Sequence, residues 1–489
     1  MKCDDHMETK DLPDSSAVKK SRIGFYGNMA NNMYLCAKAF SGRGSDAVFI
    51  KDYGSRHAFS QPIWEDLDIS IEYDELMLTD SWSWDQWTEF EKKKFWQPPI
   101  WYIDAGKKSS RGRHSLGGGN LLERMCFRLL YYRRKYWKGV LSVMKTCDIL
   151  VVCGIEAAIL AMASGLPFVY VSYGGDMRIA LGGEEPALRH PQTWIYFMMC
   201  RKLFRRALTK AIWISSGRFF MDGKAGFAGD FLPDTSYRFF PLPYRIRKRL
   251  PQVKRRENLS LLTEKMGISI PNSDLYCMVP SRVDFFWKGQ DWLFRSIPKI
   301  RGGKKIHFIF SGWGQDYKKA IQMVDALNVK GDVTFLPCAL SKQLLFSFFE
   351  SVDFVIDQFH TSYYGTSAME AMSCGTPVVM NIDESMFVLK GNEPPPVLNA
   401  GNEEGLTLLL SDISSGGVDL EFFSKSVFEW AQRIHGEKRV VSWFFQQVSA
   451  FLLKTKKNDS IRSGRGRGVG GYERFNDAAE DGNANRTDP

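Results

Sequence analysis

Apolar positions fall into short runs separated by helix-length amphipathic stretches, which is the alternation expected of an α/β protein. SRIGFYGNMANNMYLCAKAF reads as a strand, a Gly/Asn loop and a helix. Further strands are predicted at ILVV, PFVYV, LYCMVP, KIHFIFSG, VTFLP, DFVID and PVVMN. LEFFSKSVFEWAQRIHGEKRVVSWFFQQVSAFLLK has the period of two amphipathic helices. Residues 1–20 and 456–489 are polar and charged and read as disordered tails.

The apolar segment ILVVCGIEAAILAMASGLPFVYV is long enough to cross a bilayer, but Glu156, several glycines and Pro167 interrupt it. It divides instead into a strand, a helix from about Glu156 to Ser164, and a second strand. Its AMxxGxP pattern, Ala161 to Pro167, recurs at Ala371 to Pro377, each time before an apolar strand. One such unit in each half points to two doubly wound α/β domains, whose facing loops form a ligand cleft. A chain of 489 residues exceeds what one core normally supports. The expected division is 21–245 and 246–455, with the prolines and basic run of PLPYRIRKRL at the junction.

Charge and cysteine content narrow the setting. A net charge of +10 implies an anionic partner without distinguishing phosphates, membrane surfaces and nucleic acid. GRGRGVGG is a weak nucleic-acid signal, and no nucleic-acid partner is expected. Nine scattered cysteines, without a CxxC pair or zinc spacing, read as reduced thiols of a cytoplasmic protein. The N-terminus has no apolar core and is not read as a secretory signal. FRLLYYRRKYWKGVLSVM and WIYFMMCRKLFRRALTKAIWI interleave cations with aromatic and apolar residues. Such helices suit either peripheral contact with an anionic membrane or a core-facing aromatic side with cations in water.

The strongest chemical signal is DQFHTSYYGTSAMEAMSCGTPVVMN, from Asp357 to Asn381, a strand–loop–helix–strand unit. Gly365 allows close backbone approach. Thr366 and Ser367 open a helix whose first amides accept phosphate, and Glu370, one turn in, is placed to bind sugar or ribose hydroxyls. The alternative is that Ser367 and Glu370 simply form a capping box.

YYGTSAMEAMSCGTPVV resembles the donor-site signature of the family 4 (group 1) retaining glycosyltransferases, enzymes of the GT-B fold with two facing Rossmann-like domains. The resemblance implies a hexosyltransferase-type enzyme. Its co-substrate would be a nucleotide-diphosphate sugar, with no cofactor, and its acceptor a hydroxyl on a glycan or lipid-linked molecule. Transfer would retain the anomeric configuration. No DxD metal pattern is apparent, and Asp66-Leu67-Asp68 lies far from the donor segment.

By the same resemblance Glu370 holds ribose, and Ser362, Tyr364, Gly365, Thr366 and Ser367 line the donor. SRVDFFWKGQDWLF matches the family's basic pair, here Arg282 and Lys288, which would neutralise a departing diphosphate. Gly312 and Gly314 of SGWGQD fall near the nucleotide base. Gly27 and Asn28 fall beside the donor phosphates, although asparagines in that turn, Asn31 and Asn32 included, equally suit capping. Asp176 of SYGGDMR would face the cleft to orient acceptor or sugar, or would pair with Arg178. Ser362 departs from the family, which commonly has a second glutamate there, and a serine cannot supply negative charge. That leaves a catalytically inactive nucleotide-sugar binding protein as the alternative. No pattern selects a catalytic base among seven histidines, His114 and His360 included.

Overall fold

Two six-stranded parallel sheets organise the chain, their inner strands short runs of Val, Ile, Phe and Leu that are buried on both faces. In the computed structural model the described residues are 21–52, 62–66, 96–106, 120–172, 191–215, 238–336, 340–388 and 393–464. The first half runs β1 (Ile23–Tyr26), α1 (Asn32–Ser41), β2 (Ala47–Lys51), α2 (Ile63–Asp66), β3 (Tyr102–Asp104), α3 (Leu121–Arg133), α4 (Tyr136–Met144), β4 (Ile149–Cys153), α5 (Ile155–Ser164), β5 (Phe168–Val171), α6 (Pro191–Lys210) and β6 (Trp213–Ser215). The second runs α7 (Gln252–Lys265), β7 (Leu275–Val279), α8 (Phe285–Lys288), α9 (Gln290–Ser296), β8 (Ile306–Ser311), α10 (Tyr317–Ala326), β9 (Val333–Leu336), α11 (Lys342–Ser351) and β10 (Phe354–Ile356). It continues with α12 (Thr366–Ser373), β11 (Val378–Met380), α13 (Ser385–Val388), β12 (Leu398–Asn399), α14 (Glu403–Ser415), α15 (Leu420–His435) and α16 (Glu437–Gly464).

The strand order is β3-β2-β1-β4-β5-β6 in one sheet and β12-β11-β10-β7-β8-β9 in the other. Counted from its own first strand, the second sheet repeats the order of the first. In each, the winding reverses between the first and fourth strands, where an open parallel sheet leaves a crevice at its carboxyl edge. This is the doubly wound arrangement expected from the paired AMxxGxP units. Both units end their helix in the same way: Gly165 and Gly375 adopt φ +77° and +70°, left-handed conformations that favour glycine.

Alternation along the strands divides each core into two layers. Tyr26, Leu150 and Val152 face α3 to α6, while Phe25, Ile149 and Val151 face α1. That second layer is completed from the far end of the chain by Val441, Phe444, Phe445 and Val448 of α16. Each such side chain, fully buried, contributes on the order of 1.5–3 kcal/mol. In the other domain Tyr276 and Met278 face α7, α11, α12 and α15, and Cys277 and Val279 face α9, α10 and α14.

The segment from residue 149 to 171 is β4, α5 and β5. No helix among the described residues is long and apolar enough to cross a membrane. α16 runs on to Gly464, past the boundary expected at 455, because no proline or glycine interrupts it before that residue. Residues 1–20 and 465–489, the remainder of the expected tails, lie outside the described residues. Cys36, Cys126, Cys147, Cys153, Cys200, Cys277 and Cys374 are free, buried thiols.

Candidate functional site

At the switch point of the second sheet, the loop after β7 meets the loop after β10. Ser281 donates to Asp357 Oδ1, so the two strand ends are tied across the crevice. Lys288, the last residue of α8, reaches the same place, with Nζ 2.7 Å from Gln358 Oε1 and 3.5 Å from Asp357 Oδ1. Asp357 is fully buried and its Oδ2 has no hydrogen-bond partner. Together, Asp357 and Gln358 fix the direction of the ammonium.

α12 begins against that ammonium. Its N-cap is Gly365, and no side chain caps its first amides. The expected alternative, a Ser367–Glu370 capping box, therefore does not form. The helix starts two residues earlier than such a box requires, with Gly365 rather than Ser367 at the N-cap, which leaves Glu370 more than a turn inside. Gly365 has φ −92°, open to any residue, so room rather than backbone freedom accounts for it. A Cβ there would stand 3.3 Å from Asp357 Oδ2 and 3.7 Å from Lys288 Nζ. Free helix amides and a lysine thus converge on one point, the arrangement that binds phosphate.

Glu370 points the other way. It is 1% exposed and ion-paired with Lys342, at the first position of α11, while its Oε2 has no partner. Burial raises its pKa above the usual carboxylate range, against the opposing pull of Lys342. A third charge comes from the other domain. Glu65 of α2 is buried, its backbone carbonyl accepts from Gln343 Nε2 at 3.2 Å, and its carboxyl is pushed up to about 7, chiefly by burial, with Lys342 opposing and Glu370 adding. Next to it, Asp66 accepts from Tyr34, Lys38 and Trp96 of its own domain. α2 is therefore pinned to both domains across the cleft.

The remaining expected residues separate into those that shape the site and those turned elsewhere. Arg282 follows Ser281, but its Nε bonds Asp284 Oδ2 at 3.0 Å. Asp284 in turn caps α8 through Trp287 N. Gly312 and Gly314 are packing positions: a Cβ would meet Leu336 O at 1.8 Å and Val283 O at 2.4 Å. Trp313 O accepts from Val283 N, so the glycine turn braces the Arg282 loop. The hydroxyl of Tyr364 lies 3.1 Å from His435 Nε2, and its ring stacks on Tyr363 and Phe387. His435 Nδ1 lies 2.9 Å from Leu242 O, so Nε2 is the acceptor; burial lowers this imidazole to about 4 and keeps it neutral. Tyr364 is thus a wall of the donor loop whose hydroxyl is already bonded. Ser362 holds the turn through its carbonyl, which accepts from Asp383 N at 3.1 Å.

In the first domain Gly27 has φ +87°, and a Cβ there would lie 1.8 Å from Cys153 O. The side chain of Asn28 works inside its loop: Oδ1 accepts from Tyr34 N at 3.0 Å and Nδ2 donates to Asn31 at 2.6 Å. The capping alternative holds for this asparagine. His360 Nδ1 lies 3.1 Å from Phe286 O, and its ring packs on Trp292. Asp176, Arg178 and His114 lie outside the described residues.

Asp357, Gln358, Lys342 and Glu65 escaped the sequence reading. Lys342 did leave a signal, since a cation opening a helix opposes the helix dipole and implies a nearby carboxylate.

Residues 275–394 match the family model of group 1 glycosyl transferases. That span carries Lys288, Arg282, the donor loop and Glu370. Anabaena HepE in complex with UDP-glucose is similar over 88% of this chain and 100% of its own, with 14% identity and a TM-score of 0.55. Sucrose-phosphate synthase from Thermosynechococcus elongatus aligns over 89% and 100%, at 12% identity and TM-score 0.53. A glycosyltransferase from Rickettsia africae aligns over 88% and 99%, at 12% and 0.50. These likenesses show the fold, the GT-B architecture of two Rossmann-like domains. No curated protein matches the chain in sequence.

Proposed function

We propose that this protein is a glycosyltransferase of the group 1 type, moving a sugar from a nucleotide-diphosphate sugar to a hydroxyl acceptor. The observation that carries the reading is the meeting of Lys288 with the uncapped start of α12 at Gly365. The diphosphate would lie on those amides, with Lys288 against the oxygen that leaves. As the anomeric C–O bond breaks and the acceptor oxygen bonds to the same carbon, negative charge grows on the diphosphate, which takes up the acceptor's proton. Fixed cations at that place stabilise the transition state more than the ground state.

Glu370 would hold the ribose. Its unpartnered Oε2 is a buried acceptor costing about 1–3 kcal/mol, and a ribose hydroxyl would satisfy it. Retention by same-face attack and a hexosyl donor follow from the family resemblance, with charge neutralisation supplied by Lys288 and helix amides rather than by a metal. Arg282, released from Asp284, and Asp176, near the acceptor, are the further residues of this proposal.

Thermal-shift measurement with UDP-, GDP- and ADP-sugars tests the donor, because a ligand that binds only the native state raises the melting temperature. UDP-sugars lead the panel, since a structural neighbour holds UDP-glucose. Product analysis with the best stabiliser then reads transfer and anomeric configuration. A serine at 362 in place of a carboxylate favours one alternative, a nucleotide-sugar binding protein that shows a thermal shift but neither transfer nor donor hydrolysis.

A further inference from the structure

α3 is apolar on two sides. One side, carrying Phe127 and Leu130, is buried in the core. Leu121, Leu122, Met125, Leu129 and Tyr132 fall on the other, within about 100° of arc at 3.6 residues per turn. All five are exposed, Leu121 by 67% and Tyr132 by 61%. The neighbouring α6 adds exposed Ile195 and Met198. A contiguous apolar face of this kind on a globular domain marks an interaction surface.

Cations border it. On the helical wheel Arg124 and Arg128 lie along one edge of the α3 stripe, and Lys202 and Arg205 each stand two turns along α6 from Ile195 and Met198, on the same side. The two helices contain one acid, Glu123, and it is ion-paired with Arg206. The surface is therefore apolar with a positive border.

Its location in the fold matters as much. Glu123 near the start of α3 pairs with Arg206 near the end of α6, and Arg134 just after α3 donates to Tyr196 near the start of α6 at 3.0 Å, so the helices run antiparallel. Arg134 also lies 3.4 Å from Glu156, in the first turn of α5, immediately after the carboxyl end of β4. Tyr132, Ile195 and Met198 thus lie at the cleft end of the domain.

We propose that this face of α3 and α6 seats the protein on an anionic lipid bilayer, the apolar stripe entering the interfacial region and the arginines meeting the headgroups. The charge pattern selects this occupant. A two-fold contact between copies would bring like-charged borders together, whereas anionic headgroups match them. Lipid binding stands independently of the transferase reading. Its functional consequence rests on that reading: a membrane-anchored hydroxyl acceptor would be presented at the mouth of the cleft.

The test is flotation of the full chain with phosphatidylcholine vesicles, with and without phosphatidylglycerol, at low and high salt. Binding is expected only with the anionic lipid, weakening steeply with salt. The Met125→Glu/Leu129→Glu variant should lower partitioning at least tenfold, and Arg124→Glu/Arg128→Glu, which reverses charge at the edge of the stripe, should do likewise. Melting temperature and the thermal shift with sugar nucleotides should stay at wild-type values in both. Equal binding to neutral vesicles, or variants that float like wild type, would overturn the proposal. So would a dimer in sedimentation velocity that the glutamate pair dissolves, which would make the face a homotypic contact.

Discussion

Glu370 and Lys342, on the facing helices α12 and α11, form an ion pair closed to solvent, 1% and 12% exposed in their side chains. Beside them Glu65 adds a second carboxylate from the other domain. Lys342→Met leaves both carboxylates without their cation and should destabilise the protein by about 3–5 kcal/mol. The double variant with Glu370→Gln should lose less than the sum of the two single losses. Denaturant unfolding of the four proteins checks this, and additive losses would show that the pair is not coupled.

Lys288→Ala should slow transfer at least tenfold, on the order of 1.4 kcal/mol of transition-state stabilisation, with the fold intact. Full turnover in the purified, folded variant would remove the lysine from the reaction.

Gly365 and Gly27 should respond to substitution in opposite ways. Gly365→Val keeps an ordinary φ but fills the space 3.7 Å from Lys288 Nζ, so donor binding should fall with little change in melting temperature. Gly27→Val meets Cys153 O at φ +87°, so it should destabilise the fold by more than about 1 kcal/mol. Melting curves with and without sugar nucleotide separate the two outcomes.

The carboxyl of Glu65 is raised from an ordinary 4.5 to about 7 by burial, with Lys342, Glu370, Lys38 and Asp66 around it. Between those values the native state holds a proton that the unfolded chain releases. The stability from this group is therefore present below pH 4.5 and is lost as pH rises toward 7. Glu65→Gln should abolish that slope and raise stability at pH 8 by roughly 3 kcal/mol. Melting temperatures across this range, compared between wild type and variant, decide it. An unchanged slope would assign the titration to another group.

Much of the fold was legible in local pattern. The two AMxxGxP units announced two doubly wound sheets because a helix that packs on a parallel strand needs small residues and a left-handed glycine at its end. Gly165 and Gly375 supply the glycine. Lys288 and Gly365 were each legible in their own segments, SRVDFFWKGQDWLF and YYGTSAMEAM, which lie far apart in sequence, and the fold brings the two to within 3.7 Å of one another at the Cβ position of 365. Glu65 was not, since it lies 277 residues from Lys342 and nothing near it in sequence hints at the contact. The internal role of Tyr364 was hidden for a related reason, since its distant partner His435 decides whether the hydroxyl is available to a ligand, whereas for Asn28 the sequence left capping open and Tyr34 N decides it.

The far-carboxyl residues Phe444 and Phe445 close a core that begins with Ile23 and Phe25. During synthesis the amino-terminal sheet is thus the first to emerge from the ribosome and the last to be sealed. A message truncated after α15 would yield a chain with an intact donor loop and an open hydrophobic wound in its other half, a ready substrate for chaperones and proteases.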